Sequence, residues 1–311
     1  MSQVNFIVVG DIILDRFIYG DATRISPEAP ALVLDVKEEV HSVGGAFNSF
    51  SHISSLGGDV KLISVIGNDI KRYKDDFPDF EAAKEKLILF EDSSRFTSIK
   101  TRLVSFYKLS YLARFDKETI NDIGDDISAK ILNAVSEQVR RNSSLLIIDY
   151  KKGVVTPQLS RELINICRQK RVKVLVDSKR NNIEHFSGAY LFKPNKAELK
   201  EIKLRYQLSQ YDDIEACKIL LEKFDLENIV LTLGAGGMLA ITRGGKVFSV
   251  PGHKVMIKEL SGAGDSVLSV LATLIGEGKT LKVALEAANN IAASFISSGV
   301  TYRAKREDLF R

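Results

Sequence analysis

The chain is poor in cysteine and has no long apolar run, and both shortages narrow its function. Its only cysteines among 311 residues are Cys167 and Cys217. Two isolated thiols make neither a metal cluster nor a disulfide framework. Both fall in stretches with helical apolar spacing, where they read as core residues. No stretch approaches the ~18 uninterrupted apolar residues of a spanning helix. The apolar start, residues 4–14, is broken by Asp11 and has no basic region before it, unlike a secretory signal. No membrane contact and a cytoplasmic location are therefore expected. In that setting Asn142-Ser143-Ser144, which matches a glycosylation acceptor, reads as a solvated helix end. A one-signed stripe is also missing. The formal net charge is only +4, and acidic residues interrupt the basic runs, as in Lys71-Arg72-Tyr73-Lys74-Asp75-Asp76. That pattern argues against nucleic acid as a partner and leaves a mild preference for anions, which suits phosphorylated metabolites. Two familiar nucleotide motifs are absent too. There is no GxxxxGK[ST], and neither Gly234-Ala235-Gly236 nor Gly262-Ala263-Gly264 carries the third glycine or alanine of a dinucleotide fingerprint. A P-loop enzyme and an NAD-dependent oxidoreductase are disfavoured accordingly.

Hydrophobic residues make up 45% of the chain, enough for a full core. Short apolar runs at residues 4–9, 60–66, 145–149, 172–177, 189–192 and 229–233 alternate with helical faces such as Ile127, Ile131, Leu132, Val135 and Val139, or Ile214, Cys217, Leu220, Leu221 and Phe224. Near-continuous apolar strands are buried on both faces, so the expected fold is α/β, a doubly wound and mainly parallel sheet with helices on both sides. Residues 17–37 and 95–116 break the alternation and read as paired strands, a small β-sheet projecting as a lid or a dimer surface. We find no repeat, low-complexity tract or flexible linker, and residues 71–86 read as a solvated loop and helix face. A single domain spanning 1–311 is expected.

The most informative segment is Gly262-Ala263-Gly264-Asp265, followed by an apolar helical stripe of Val267, Val270, Leu271, Leu274 and Ile275. A glycine loop feeding a helix N-terminus offers unpaired N–H groups and a positive dipole end to an anion. Asp265 in the first turn is placed to take a proton beside that anion hole. Taken alone, the four residues also fit an Asp favoured near any helix start.

In chain order, several further segments accompany GAGD: Gly10-Asp11-Ile12-Ile13-Leu14-Asp15, Gly44-Gly45-Ala46-Phe47-Asn48, Lys193-Pro194-Asn195 with Glu198, and Thr232-Leu233-Gly234. Together they resemble the motifs of the ribokinase-like (PfkB) carbohydrate kinases along almost the entire chain. More narrowly, residues 11–16, Arg24-Ile25-Ser26-Pro27-Glu28-Ala29-Pro30 and Asp149-Tyr150-Lys151-Lys152-Gly153 resemble the kinase domain of heptose 7-phosphate kinases of lipopolysaccharide biosynthesis. The resemblance implies an ATP-dependent phosphotransferase that adds phosphate at O1 of D-glycero-β-D-manno-heptose 7-phosphate, giving the 1,7-bisphosphate. It also implies a ribokinase-like fold and a homodimer formed through the lid. Many members carry a nucleotidyltransferase domain after the kinase. This sequence shows no HxGH-type motif, so only the kinase step is implied.

Carried over position by position, the resemblance makes Asp265 the general base and Gly262, Ala263, Gly264 and Asp265 the anion hole. Asp15, Gly44, Gly45 and Asn48 become sugar contacts, and Lys152, Arg102 and Lys100 candidates for a substrate phosphate. Asn195 and Glu198 match an NxxE element serving ATP and Mg²⁺, with Glu198 acting on the metal through water. Thr232, Gly234 and Gly237 resemble a turn beneath ATP, and Asn290 an adenine-pocket position. Structural alternatives stand beside these roles. Asp15 also reads as a turn cap, Gly44-Gly45 as a left-handed turn, the three cations as solvated charges, and Asn195 with Glu198 as a helix capping box. The sequence departs from the family pattern at Glu259 (more often Asp), Ser261 (usually Thr) and Lys151 (usually Gly). Phe47 replaces a small residue, which either adds bulk beside the sugar or packs behind it. The alternatives to a heptose kinase are another carbohydrate or nucleoside kinase of this family, or a non-catalytic sugar or nucleotide sensor on the same fold.

Overall fold

A computed structural model describes residues 4–107, 110–258, 262–298 and 302–310, with the Lys74 side chain excepted. Glu259 and Ser261 lie outside the described residues. The core strand β1 (Asn5–Gly10) shows why the sheet is buried on both faces: Phe6 and Val8 pack into one apolar cluster, Ile7 and Val9 into the other. Parallel partners flank it, β4 (Asp59–Gly67) on one side and β8 (Ser143–Asp149) on the other. The sheet extends outward from β4 to β5 (Leu87–Asp92), and from β8 through β9 (Lys173–Ser178), β10 (Leu191–Phe192) and β11 (Asn228–Thr232). It closes with β12 (Met238–Thr242) and β13 (Val247–Val250), which run antiparallel at the edge. Strands β5, β12 and β13 were not expected. The edge strands β5 and β13 are only partly buried, which dilutes their apolar signal, whereas β12 lies between β11 and β13 and is mostly buried.

On one face lie α1 (Ala46–Ser55), α7 (Ala263–Gly276) and α8 (Leu281–Ser298). The other face carries α3 (Asp125–Gln138), α4 (Pro157–Gln169), α5 (Lys196–Arg205) and α6 (Asp213–Lys223). The short α2 (Pro78–Ala83) packs its Phe80 against Phe47 of α1. Cys167 and Cys217 are both fully buried in the second cluster, as their helical spacing suggests. Among the described residues no helix is long and apolar enough to cross a membrane.

The departure from α/β alternation is a separate four-stranded sheet, ordered β3 (Leu32–Gly45), β2 (Ile12–Ile25), β6 (Ile99–Ser105), β7 (Ser110–Lys117). Its strands reach closer to the core than the lid segments 17–37 and 95–116 suggested, because Ile12, Ile13 and Leu14 at the root of β2 are buried. Strand order reverses between β1 and β8, and the chain leaving their carboxyl ends carries Asp11 and Tyr150. Ligands of open α/β sheets bind in the crevice such a reversal creates.

Candidate active site

Two cavities meet at the carboxyl edge of the large sheet. The smaller, about 350 Å³, is roofed by the lid's inner face through Asp15, Ser42, Gly44, Lys100 and Arg102 and floored by Asn48, Tyr150, Gly262 and Gly264. The larger, about 1050 Å³, lies between α7, α8 and the 232–238 turn, with Thr232, Gly234, Gly237, Asn289 and Ala292 in its wall. Asn195, Thr232 and Gly264 line both, so the chambers join at the N-terminus of α7.

That N-terminus is built by Gly262, whose φ of 95° is a left-handed conformation suited to glycine. A Cβ there would come within 3.0 Å of Phe295 Cζ and 3.1 Å of Asn48 Nδ2. The second glycine serves proximity instead. A Cβ on Gly264 would lie 3.3 Å from Lys193 Nζ and 3.4 Å from Asp177 Oδ2, so its bareness lets a buried ion pair (2.8 Å) approach the helix end. Asp265, on the first turn, has no exposed surface. Asn48 Nδ2 donates to its Oδ2 at 3.1 Å, and the Tyr150 hydroxyl lies 3.0 Å from Oδ1 and 2.9 Å from Oδ2. Burial, and then the charge of Asp177, push the Asp265 carboxyl up to about 6, against the opposing pull of Asn48, Tyr150 and Lys179. A carboxylate at that position is a better proton acceptor near neutrality than an ordinary aspartate.

Asp15 and Arg102 face each other across β2 and β6 at 2.5 Å, inside the smaller chamber. Gly44 is bare because a Cβ would stand 2.6 Å from the Asp15 carboxylate. Gly45, with φ 63°, turns the chain into α1 where a Cβ would strike the Asp11 carbonyl at 2.2 Å. The left-handed turn and the chamber wall are thus one feature. Lys100 is in the lining but pairs with Asp116 at 2.6 Å, and Lys152 lies outside it, 2.6 Å from Glu118. Phe47 is buried against Phe50 and Phe80 and adds no bulk to the chamber.

On the other side, Asn195 caps α5. Its side chain accepts from Glu198 N at 2.9 Å while Glu198 Oε2 accepts from Asn195 N at 2.8 Å, a complete capping box. The remaining oxygen, Glu198 Oε1, takes Lys179 at 2.8 Å. Asn290 is turned toward His253 (2.9 Å) and Leu309, and its neighbour Asn289 faces the larger cavity instead.

Four side chains at this junction had been given no role from the sequence: Tyr150, Asp177, Lys179 and Lys193. Burial works to raise the Asp177 carboxyl, but Lys193 and Lys179 more than offset it and hold it below the usual range. Its Oδ1 has no hydrogen-bond partner among the described residues. The only sequence signals were indirect, since Lys193 opens the Lys-Pro-Asn motif and Tyr150 sits in the Asp149–Gly153 segment. Asp11 explains that segment's shape. Its carboxylate accepts from Tyr150 N (2.7 Å), Lys152 N (3.2 Å) and Val154 N (3.1 Å), which fixes the loop that presents Tyr150. Lys151, in place of the family's glycine, adopts a φ of 60° there.

No cluster of three or more acidic, His or Cys ligands, and so no all-protein metal cage, occurs among the described residues. A buried Asp177 oxygen that makes no hydrogen bond and lies 3.9 Å from Lys179 Nζ, with Glu198 on the other side of that lysine, fits Mg²⁺ held mainly by nucleotide phosphates and water, the usual mode for that ion.

The architecture, a two-sided mostly parallel sheet under a β lid, is that of the ribokinase-like kinases. Phosphofructokinase-2 from Escherichia coli in complex with potassium superposes with a TM-score of 0.80 over 99% of this chain and 97% of that one at 18% identity. Arabidopsis thaliana ribokinase complexed with ribose and ATP does so at 0.73, covering 99% and 98%, at 14% identity. Residues 117–307 match the model of the pfkB family carbohydrate kinases, and the chain belongs to that family, whose members transfer phosphate from ATP to a sugar. Curated relatives include the bifunctional protein HldE of Rhodopseudomonas palustris (strain BisB18), 35% identical over 97% of this chain, and that of Campylobacter fetus subsp. fetus, 35% identical over 94%. The chain spans 61% and 62% of the length of these relatives.

Proposed function

We propose that this sugar kinase phosphorylates O1 of a heptose 7-phosphate, most specifically D-glycero-β-D-manno-heptose 7-phosphate, within one kinase unit of residues 1–311. The observation that carries the reading is the junction itself. A chamber of sugar-phosphate size and a larger one of nucleotide size share Asn195, Thr232 and Gly264, with a buried carboxylate of raised pKa directly behind. The likeness to the HldE relatives, with the resemblance of residues 11–16, 24–30 and 149–153 to heptose 7-phosphate kinases, supports the narrower substrate class.

In the proposed mechanism the sugar enters under the lid, where Asp15 and Asn48 bind paired hydroxyls with directionality. Arg102, with Lys100, grips the distal phosphate, and Lys152 joins them on leaving Glu118. The nucleotide lies along the 232–237 turn with its γ-phosphate at the N-terminus of α7. Asp265 takes the proton of the acceptor hydroxyl as the amides of residues 262–265 stabilise charge on the transferring group. Mg²⁺, when bound, neutralises phosphate charge. Lys193 and Lys179, in the lining of the smaller chamber, add positive charge beside the N-terminus of α7. Lid closure keeps water out.

Exposed apolar side chains on the lid strands, among them Ile25, Leu32, Tyr111 and Phe115, support a homodimer joined through that sheet.

The test is ATP consumption with Mg²⁺ over heptose 7-phosphates, hexose phosphates, free sugars and nucleosides. Turnover confined to heptose 7-phosphate supports the full reading. Another acceptor moves the substrate and keeps the kinase, whereas binding without turnover supports the sensor.

A further inference from the structure

Tyr150 stands between the acceptor chamber and the base. It lines the chamber, and its hydroxyl is shared between both oxygens of Asp265, at 3.0 and 2.9 Å, while Asn48 covers Oδ2. Those are the distances at which an acceptor hydroxyl must stand to lose its proton. The phenol therefore occupies the acceptor's place. It does not act as an acceptor itself, because burial and the facing charges of Asp265 and Asp177 raise its pKa well above 10 and keep the proton on oxygen. Its backbone is pinned, since Tyr150 N donates to Asp11 at 2.7 Å. The ring rests 5.5 Å from Lys179 Nζ, which is bound to Glu198 on the nucleotide side. Motion of this residue is side-chain rotation, not loop movement.

A base beside an anion hole invites a side reaction when the sugar chamber holds only water. Asp265 would take a proton from water, the water oxygen would bond to the γ-phosphorus, and the bond from that phosphorus to its bridging oxygen would break, leaving ADP and phosphate. With Asp265 wholly buried, the side chains that deny water a carboxylate oxygen are the ones hydrogen-bonded to it.

We propose that Tyr150 is a positioning residue that caps the base while the acceptor chamber is empty and yields a carboxylate oxygen when a sugar hydroxyl enters, so that ATP is not hydrolysed in its absence. This rests on Asp265 being the base of a kinase. The charged groups facing this pair are Asp177 at the end of β9, Lys179 beyond it and Asp15 on β2.

Tyr150→Phe removes only the hydroxyl. Phosphate release from ATP and Mg²⁺ without acceptor should then rise about tenfold relative to acceptor-dependent turnover, the size expected for a lost hydrogen bond to a charged group. The inflection that Asp265 adds to the pH dependence of the denaturant midpoint, read as the difference from Asp265→Asn because burial also raises Asp11 to about 6, should move upward, because the carboxylate loses a donor that favours its charged form. An unchanged ratio with an unmoved inflection would overturn the proposal. The inflection needs no turnover, so it tests the cap even if no carbohydrate acceptor is found and the kinase reading fails. In the wild type, heptose 7-phosphate added without nucleotide should perturb tyrosine absorption; an unaltered spectrum with sugar bound counts against displacement.

Discussion

At the scale of single residues, Asp265 makes the sharpest predictions. Asp265→Asn should lower kcat by at least ~100-fold, the lower range for loss of a positioned base, while nucleotide binding measured by calorimetry persists. A near-normal rate would remove Asp265 from the mechanism. The pH dependence has a definite sign. Its folded pKa is raised from 3.8 to about 6, so the active carboxylate form is lost as pH falls through about 6, and kcat/KM should drop about tenfold per pH unit below that. The same raised value makes the ionised group a stability cost. The cost is absent below pH 3.8 and fully present above 6, so wild-type stability should decline across that window and the decline should become shallower in Asp265→Asn, Asp11, also raised to about 6, keeping its own share. Lys151 shows a second residue-scale effect. Its φ of 60° costs a non-glycine residue about 1–2 kcal/mol, partly returned by the flexibility a glycine would add to the unfolded chain. Lys151→Gly should therefore raise the unfolding free energy by up to roughly 1 kcal/mol, seen as a higher denaturant midpoint with no change in slope.

At the scale of elements, α5 and α7 each have a terminus that both ends the helix and lines the cavities. Asn195→Ala breaks the capping box and should destabilise by about 1 kcal/mol. Asp212, which caps α6 by accepting from Glu215 N at 2.8 Å, provides the comparison, since it lies outside both chambers. Asp212→Ala should cost about the same stability and leave the KM for ATP unaltered, whereas Asn195→Ala should raise it. Equal KM effects would mean that Asn195 is only a cap. The capping box and the NxxE motif are compatible readings, since the residue that caps α5 also lines the cavity where that helix begins. The glycine turn before α1 resolves in the same way, through the positive φ of Gly45 and the carboxylate beside Gly44.

At the scale of the whole molecule, the proposals on closure and assembly both rest on the two faces of the lid. Phe115, paired with Thr101, lies on the opposite face from Arg102, so the inner face is committed to the chamber and the outer one remains apolar and exposed. Phe115→Lys with Leu32→Lys should convert a dimer to a monomer in light scattering at micromolar concentration. A wild type that is already monomeric would refute the lid interface. The layer architecture, the projecting sheet and the segment holding Asp265 were legible in sequence because each leaves a local trace: period-two or helical apolar spacing, a glycine turn, a carboxylate at a helix start. The edge strands β5 and β13 were not, since half-exposed edges blur that spacing. What only the tertiary structure decided was the company each charge keeps. Tyr150, Asp177 and Lys193 come from three different strand ends, and nothing in their spacing along the chain reveals that they converge on Asp265. Which lysine is paired, which asparagine of α8 faces the cavity and how far a buried carboxyl is shifted depend on distances across the sheet and on the exclusion of water, and those exist only once the core has closed.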